Sequence, residues 1–99
     1  MDREAGMRKV KKINVFGRNI AVKEADIEGF MGIFDGVKKE ITINNKLSKK
    51  DYVPTLLHEM GHALFDRAGL RQSIPNELEE IVVEQFSDMI NENFKLIPR

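Results

Sequence analysis

The stretch from Ser48 to Gly69 constrains the fold of this chain more than any other, because its ends and its interior predict one helix. Ser48 is a favoured N-cap residue, and Asp51 three positions later resembles a capping box with Asp in place of Glu. Pro54 fits only within the first turn of a helix, which places the helix start near residues 49–53. Gly69 is a typical C′ residue, so we expect the helix to end there.

Strand-like segments come before this helix. Residues 13–22 (INVFGRNIAV) predict two short strands around a tight turn. Residues 29–44 place Asp35 and Gly36, a strong hairpin signal, between two further strand-like runs, MGIF and EITIN. The first half of the chain therefore predicts a small sheet built from hairpins.

A second helix is predicted after the first. Residues 74–94 are expected to form it, with Asn76 or Ser73 as the capping residue. Strands followed by two helices predict an α+β domain over residues 1–99, in which a small antiparallel or mixed sheet packs on the first helix and on the C-terminal helix. We expect residues 1–9, which are mostly polar, to be flexible.

The charges of the chain balance to a formal net charge of zero, which leaves no net field to attract nucleic acid or a membrane surface. No run is long enough to span a bilayer, and residues 1–12 lack the apolar core of a signal peptide. We therefore expect a cytoplasmic protein without a nucleic-acid or membrane partner. The absence of cysteine excludes disulfides and thiolate ligands, so any zinc must be held by His, Asp or Glu, as in catalytic sites.

The only two histidines, His58 and His62, lie four residues apart in the first helix, with Glu59 directly after the first. Residues i and i+4 share a helix face, so both rings can reach one zinc ion at its ~2.0–2.1 Å bond length. Glu59 is rotated by about 100° from His58, where it can reach a water molecule instead. The H-E-x-x-H spacing predicts two zinc ligands and a general base, Glu59. The alternative is a pair of ordinary histidines on a helix face.

Gly61, inside the motif, costs a helix about 1 kcal/mol relative to alanine. We expect the second helix to approach closely there, bringing the third ligand. The alternative is a tolerated defect of the helix.

The third zinc ligand must be a carboxylate, because the chain has no cysteine and no third histidine. Asp66 lies too far along the helix axis from His58 to share an ion with it. The acidic candidates on the second helix are Glu77, Glu79, Glu80, Glu84 and Asp88.

The HEMGH motif followed by an acidic helix resembles the gluzincin zinc metallopeptidases, most of all the small ImmA/IrrE-like and phage-encoded members, over roughly residues 29–91. The resemblance implies a minimal zincin-like domain whose third ligand is a Glu on the helix after HEMGH. Residues 80–87 (EIVVEQFS) match the family pattern E-x-x-A-N-x-F-A with Glu80 as ligand. Residues 84–88 (EQFSD) match the thermolysin-like E-x-x-S-D with Glu84 as ligand. In the first register three positions depart from the pattern: Val83, Glu84 and Ser87.

Helical geometry favours Glu80 over Glu84. At about 100° per residue, Glu80 falls at the edge of the apolar face, whereas Glu84 points toward the centre of the polar face. We therefore predict Glu80 as the third ligand. Glu84 lies one turn after Glu80, where the gluzincin resemblance implies a group that orients a zinc histidine; in the other register Glu84 is itself the ligand. Glu79 falls toward the apolar side and is a lesser alternative.

These residues together predict a zinc-dependent metalloendopeptidase with Glu59 as general base, acting on a protein or peptide substrate. The resemblance implies a regulator or repressor as substrate, bound as an added strand at an edge formed by MGIF or EITIN. An oxyanion donor is not assigned: Arg71 and Asn91 are candidates, while Tyr52 lies on the opposite helix face. The alternatives are a non-catalytic zinc-holding binding module and a hydrolase of non-peptide amides.

The second helix also carries a wide apolar arc, for which core packing is the expected use and a dimer contact the alternative. Its members are Leu78, Ile81, Val82, Val83, Phe86, Met89 and Ile90.

Overall fold

Four strands and two long helices follow one another along residues 9–96, the part of the chain that the structure, a computed structural model, describes. The expectation of flexibility for residues 1–9 lies outside the described residues except at Lys9. The elements are β1 (Lys12–Val15), β2 (Arg18–Ala25), β3 (Gly32–Asp35), β4 (Glu40–Asn44), α1 (Lys49–Arg67), a 3₁₀ turn (Leu70–Gln72) and α2 (Asn76–Asn93).

The strands form one mixed sheet in the order β1-β2-β4-β3. β1 pairs with β2 and β3 pairs with β4 in antiparallel hairpins, and β2 joins β4 in parallel. Both predicted hairpins and the α+β fold with a mixed sheet are confirmed. The order also decides a point that the sequence left open: the MGIF segment supplies the edge strand β3, whereas EITIN is the inner strand β4.

The β3–β4 turn is stabilised by Asp35, the residue that together with Gly36 predicted the turn. The Asp35 carboxylate accepts hydrogen bonds from the backbone N–H groups of Val37 at 2.9 Å and Lys38 at 3.0 Å. These bonds favour the ionised carboxylate and lower the pKa of Asp35. The turn fixes the register in which Gly32 lies opposite Ile43.

The core lies between one face of the sheet and α1. Alternate residues of β2 and β4 point to this face, as the period of two in a strand requires. Tyr52 belongs to this core, and its hydroxyl accepts a hydrogen bond from the Val10 N–H at 3.1 Å, so its role is structural. The buried apolar residues of the cluster are Val15, Ile20, Val22, Ile41, Ile43, Tyr52, Leu56 and Ala63.

The ends of α1 largely follow the sequence signals. Ser48 is the N-cap, but its hydroxyl donates to the Asp51 carboxylate at 3.0 Å and caps no backbone group, so the expected capping box does not form. Pro54 lies in the second turn, later than expected, because the helix already begins at Lys49. Gly69 ends the helical segment with φ of 75°, as predicted.

The predicted caps of α2 are wrong. The N-cap is Pro75, whose extended backbone leads into Asn76 and whose carbonyl accepts hydrogen bonds from the N–H groups of Leu78 and Glu79. Proline can take this place because its fixed φ suits the residue before a helix and its missing N–H is not needed there. Neither Asn76 nor Ser73 makes a capping bond at this end.

The two helices meet where Gly61 of α1 faces Val83 of α2. A Cβ added at Gly61 would lie 2.8 Å from Cγ1 of Val83, closer than carbon atoms approach. The predicted close approach at Gly61 is confirmed.

The expected core packing of the apolar arc of α2 is wrong for most of its members. Val83 is buried and Ile90 is half-buried, because α2 rests on α1 by one narrow side only. Five members are exposed: Leu78, Ile81, Val82, Phe86 and Met89.

Among the described residues, neither helix combines the length and the apolar character needed to cross a membrane.

Candidate metal centre

One side of α1 presents both histidines toward α2. His58 Nε2 lies 3.3 Å from Oε1 of Glu80, and His62 Nε2 lies 3.3 Å from Oε2 of the same carboxylate. One potential ligand atom from each of these three residues lies within 4.8 Å of the other two. The structure therefore brings together the two histidines and the one glutamate that were predicted as ligands.

These separations suit a metal ion. In a tetrahedral site with bonds of ~2.0–2.1 Å, neighbouring ligand atoms are about 3.3 Å apart. Each histidine nitrogen lies at this distance from one oxygen of the Glu80 carboxylate, His58 from Oε1 and His62 from Oε2. Two imidazoles and one carboxylate also leave a fourth position open, as catalytic sites with three protein ligands do.

His62 is held in place by a buried carboxylate from α2. Its Nδ1 lies 2.7 Å from Oε2 of Glu79, and the two side chains are only 11% and 4% exposed. Because the carboxylate accepts, Nδ1 carries the proton and Nε2 is left facing Glu80. Glu79 in turn accepts hydrogen bonds from Arg71 at 3.2 and 3.3 Å. This chain of three side chains fixes the orientation of the His62 ring.

The orienting position that the sequence assigned to Glu84 is thus taken, at His62, by Glu79. Glu84 is exposed and does not join the metal-binding group among the described residues. Glu77 and Asp88 are exposed as well, and Asp66 forms an ion pair with Lys39 at 2.6 Å. Of the acidic candidates, the structure brings Glu80 to both histidines and Glu79 to one.

The sequence does carry one signal for the role of Glu79. A glutamate on the apolar side of a helix must find a partner, because an unpaired buried charge is costly. Arg71, eight residues earlier, supplies the opposite charge at the entrance to α2. What the sequence does not show is that the turn at residues 70–72 folds Arg71 back onto Glu79.

Glu59 lies beside the metal-binding group and faces the same cleft. The cleft holds about 400 Å³ and is also lined by His58, His62, Glu80 and Arg71. Desolvation by burial raises the pKa of Glu59, outweighing the opposing influence of the two histidines and Arg71. A carboxylate with a raised pKa is a stronger base once it is ionised.

The edge strand β3 forms the opposite wall of the cleft through Gly32, Ile33 and Phe34. A Cβ at Gly32 would lie 2.8 Å from Cγ2 of Thr55 and 3.0 Å from Cγ of Glu59, so only glycine lets the strand lie this close to α1. The role of Gly32 could not be predicted from the sequence, because it depends on this contact between elements distant in the chain.

The candidate oxyanion donors differ in their placement. Arg71 lines the cleft and lies over the Phe34 ring, with its guanidinium carbon 5.2 Å from the ring centroid. Asn91 lies near the end of α2 and is not among the residues that line the cleft, and Tyr52 is in the core. Arg71 is therefore the candidate that can reach a molecule in the cleft.

Comparison with known proteins identifies no relative of this chain. No protein-family model matches the chain, and neither curated proteins nor solved structures give a match.

Proposed function

We propose that this chain is a zinc-dependent metallopeptidase of gluzincin type, with His58, His62 and Glu80 as zinc ligands and Glu59 as general base. The observation that carries the proposal is the convergence of two histidine nitrogens on one carboxylate, 3.3 Å from each, beside a second carboxylate in the same cleft. The donor types and the open position support zinc as the ion.

Each residue has one task in this proposal. His58, His62 and Glu80 would hold zinc, which when bound would supply the Lewis acidity that polarises a carbonyl group and makes water a stronger acid. Glu59 accepts the proton of the attacking water and passes it to the leaving amine. Glu79 keeps the Nε2 of His62 directed at the ion. Arg71 is the candidate donor to the oxyanion.

A peptide is the substrate that the cleft suits. β3 is an edge strand and lines the cleft, so an extended peptide added to this edge would pass in front of Glu59. A regulator or repressor protein, acted on in the cytoplasm, is the substrate that the gluzincin resemblance suggests. The binding of a peptide at the β3 edge and the regulator or repressor as substrate are both parts of the proposal.

One observation favours the alternative of a zinc-holding binding module. The Nε and one terminal nitrogen of Arg71 are already engaged by Glu79, which leaves fewer donors for an oxyanion. The intact Glu59 favours the enzyme, because a binding module does not need a base.

The ligand assignment is tested by metal content. The purified parent should contain one zinc ion per chain, and alanine at His58, His62 or Glu80 should lower the occupancy sharply. Glu84→Ala, on the same helix, is the matched control and should keep full occupancy. If Glu80→Ala keeps zinc while Glu84→Ala loses it, the third ligand lies one turn further along α2.

The enzymatic part is tested by Glu59→Gln. This variant should keep zinc and fold, since the side chains have nearly the same shape, and should lose about 10²–10⁴-fold in hydrolysis, the usual contribution of a general base. A panel of unfolded proteins, analysed for new N-termini, supplies the substrates. Cleavage that survives in Glu59→Gln would contradict the mechanism. A partner protein bound equally by both forms, and left intact by the parent, would favour the binding module.

A further inference from the structure

An open apolar channel, here called the trough, runs between β1 and α2 with α1 as its floor. It consists of two adjoining cavities of about 430 and 640 Å³, which share Asn14, Leu57 and Met60. Phe16 stands at one end of the trough and Leu96 at the other, while Val82 and Phe86 form the α2 side. No described element covers it.

The trough and the metal centre lie on different sides of α1. At about 100° per residue, Leu57, Met60 and Leu64 fall within one arc of the helix, and His58 and His62 fall about 130–170° away from its centre. The two cavities share no lining residue with the cleft of the metal centre. An occupant of the trough therefore leaves the cleft open.

The apolar area at the trough lies at the upper end of what monomeric proteins usually expose. Phe16 is 69% exposed and Phe86 is 58% exposed, and four further large side chains there are about half exposed. Together they present on the order of 600 Å², at the upper end of the largest apolar patches on monomeric proteins. A standard interface buries ~800 Å² per partner, of which about 60% is apolar. The area matches what one half of a stable dimer needs. Three of the four further side chains, Leu64, Val82 and Leu96, line the trough, and the fourth, Met89, is exposed on α2 outside its lining.

The charges on the two sides of the trough are opposite in sign. Residues 9–23 carry five basic residues and no acidic one, and Lys11 and Lys12 line the trough. α2 carries six acidic residues and no basic one; none of them lines the trough, and Asp88 and Glu92 lie at the far edge of the exposed apolar surface of the helix. One rim of the face is therefore basic and the other acidic.

We infer that the trough is the interface of a homodimer, in which a second copy of this chain covers it face to face. A two-fold axis along the trough places the basic rim of each copy over the acidic rim of the other, whereas an axis across the trough would pair like charges. The formal net charge of zero means that the two copies have no net repulsion to overcome. The dimer does not depend on zinc or on peptidase activity.

Sedimentation equilibrium on the full chain tests this inference. The parent should show twice the 11.4 kDa chain mass, with zinc and with chelator alike. Phe86→Glu should shift the protein to monomer by at least 10-fold in dissociation constant. Since Phe86 is exposed, the helix should keep its circular dichroism. Val37→Glu, at a side chain 93% exposed on the β3–β4 turn, is the matched control and should stay dimeric.

Charge reversal tests the arrangement of the two copies. Lys11→Glu with Lys12→Glu should weaken the dimer, as should Asp88→Lys with Glu92→Lys, and all four changes together should restore it. Failure of that rescue would overturn the two-fold arrangement. A parent that stays monomeric up to about 1 mM, or a dimer indifferent to Phe86→Glu, would overturn the interface itself.

Discussion

A neutral histidine can offer either ring nitrogen to a metal, and in this protein a buried glutamate decides which one His62 offers. Glu79 accepts from Nδ1 and is itself anchored by Arg71, so the ring cannot turn without breaking a bond in a nearly dry environment. His58, paired with Glu80 on an exposed flank, has a looser position. The candidate metal centre thus has one firmly held histidine and one histidine with fewer buried contacts.

Replacing Glu79 with alanine should weaken zinc binding by about 10–100-fold, the usual effect of removing the partner that orients a histidine ligand. Glu79→Gln should lose less, because its amide oxygen can still accept from Nδ1. Isothermal titration with zinc measures both. Glu84→Ala should bind zinc like the parent, and an equal loss in Glu84→Ala would show that the orienting residue is not Glu79.

The raised pKa of Glu59 has a consequence for the stability of the metal-free protein. Burial makes the folded state hold the carboxyl proton more tightly than the unfolded chain, whose glutamates titrate near the ordinary value of 4.5. Stability should therefore fall as the pH rises from 4.5 through the raised folded pKa. Glu59→Gln removes this titration. The free energy of unfolding of the variant, relative to that of the parent, should therefore rise between pH 4.5 and neutrality.

Urea denaturation with chelator present, at pH 4.5 and at neutral pH, checks this prediction. The informative quantity is the difference in unfolding free energy between variant and parent at each pH. A difference that stays constant would mean that Glu59 titrates alike in the folded and unfolded states.

At the scale of elements, the contact between Gly61 and Val83 sets how closely α1 and α2 approach, and so whether Glu80 reaches the histidines. The sequence predicted this contact because glycine inside a helix lowers the stability of the helix, and a closely packed neighbour explains why glycine is found there. It did not predict the caps of α2 or the exposure of its apolar arc. Both depend on how α2 leaves the 3₁₀ turn and on the narrow side by which it rests on α1.

Gly61→Ala should destabilise the protein by about 1 kcal/mol. Overpacking costs ~1–3 kcal/mol and is partly offset by the ~1 kcal/mol that alanine contributes to a helix. In a Val83→Ala background the same change should be neutral or stabilising, because the atom 2.8 Å away is removed. Thermal or urea denaturation of the four proteins of this double-mutant cycle measures the coupling. A stabilising Gly61→Ala in the parent would mean that the helices do not meet there.

At the scale of the whole molecule, the candidate metal centre lies at the contact between the two helices. α1 would contribute two ligands and α2 the third, next to the buried contact at Val83. An ion bound by both helices binds the folded state and not the separated helices, so it should stabilise the entire chain.

Zinc at 100 times its dissociation constant should add about 2.7 kcal/mol to the free energy of unfolding. For a chain of 99 residues this corresponds to a rise in Tm of roughly 10–20 °C. Calorimetry with zinc and with chelator measures the shift. His62→Ala should abolish it, and a shift of equal size in that variant would indicate that zinc acts elsewhere on the protein.

The sequence alone determined the local features: the two hairpins, the extent of α1, the shared face of His58 and His62, and the glycine at the helix contact. Each follows from interactions among residues a few positions apart, which the periods of helix and strand make visible. The tertiary structure alone decided which strand is the edge, that Glu79 orients His62, and that no element within residues 9–96 covers the trough. Those depend on where α2 and the edge strand come to lie against α1, and the chain between them does not encode that placement in any local pattern.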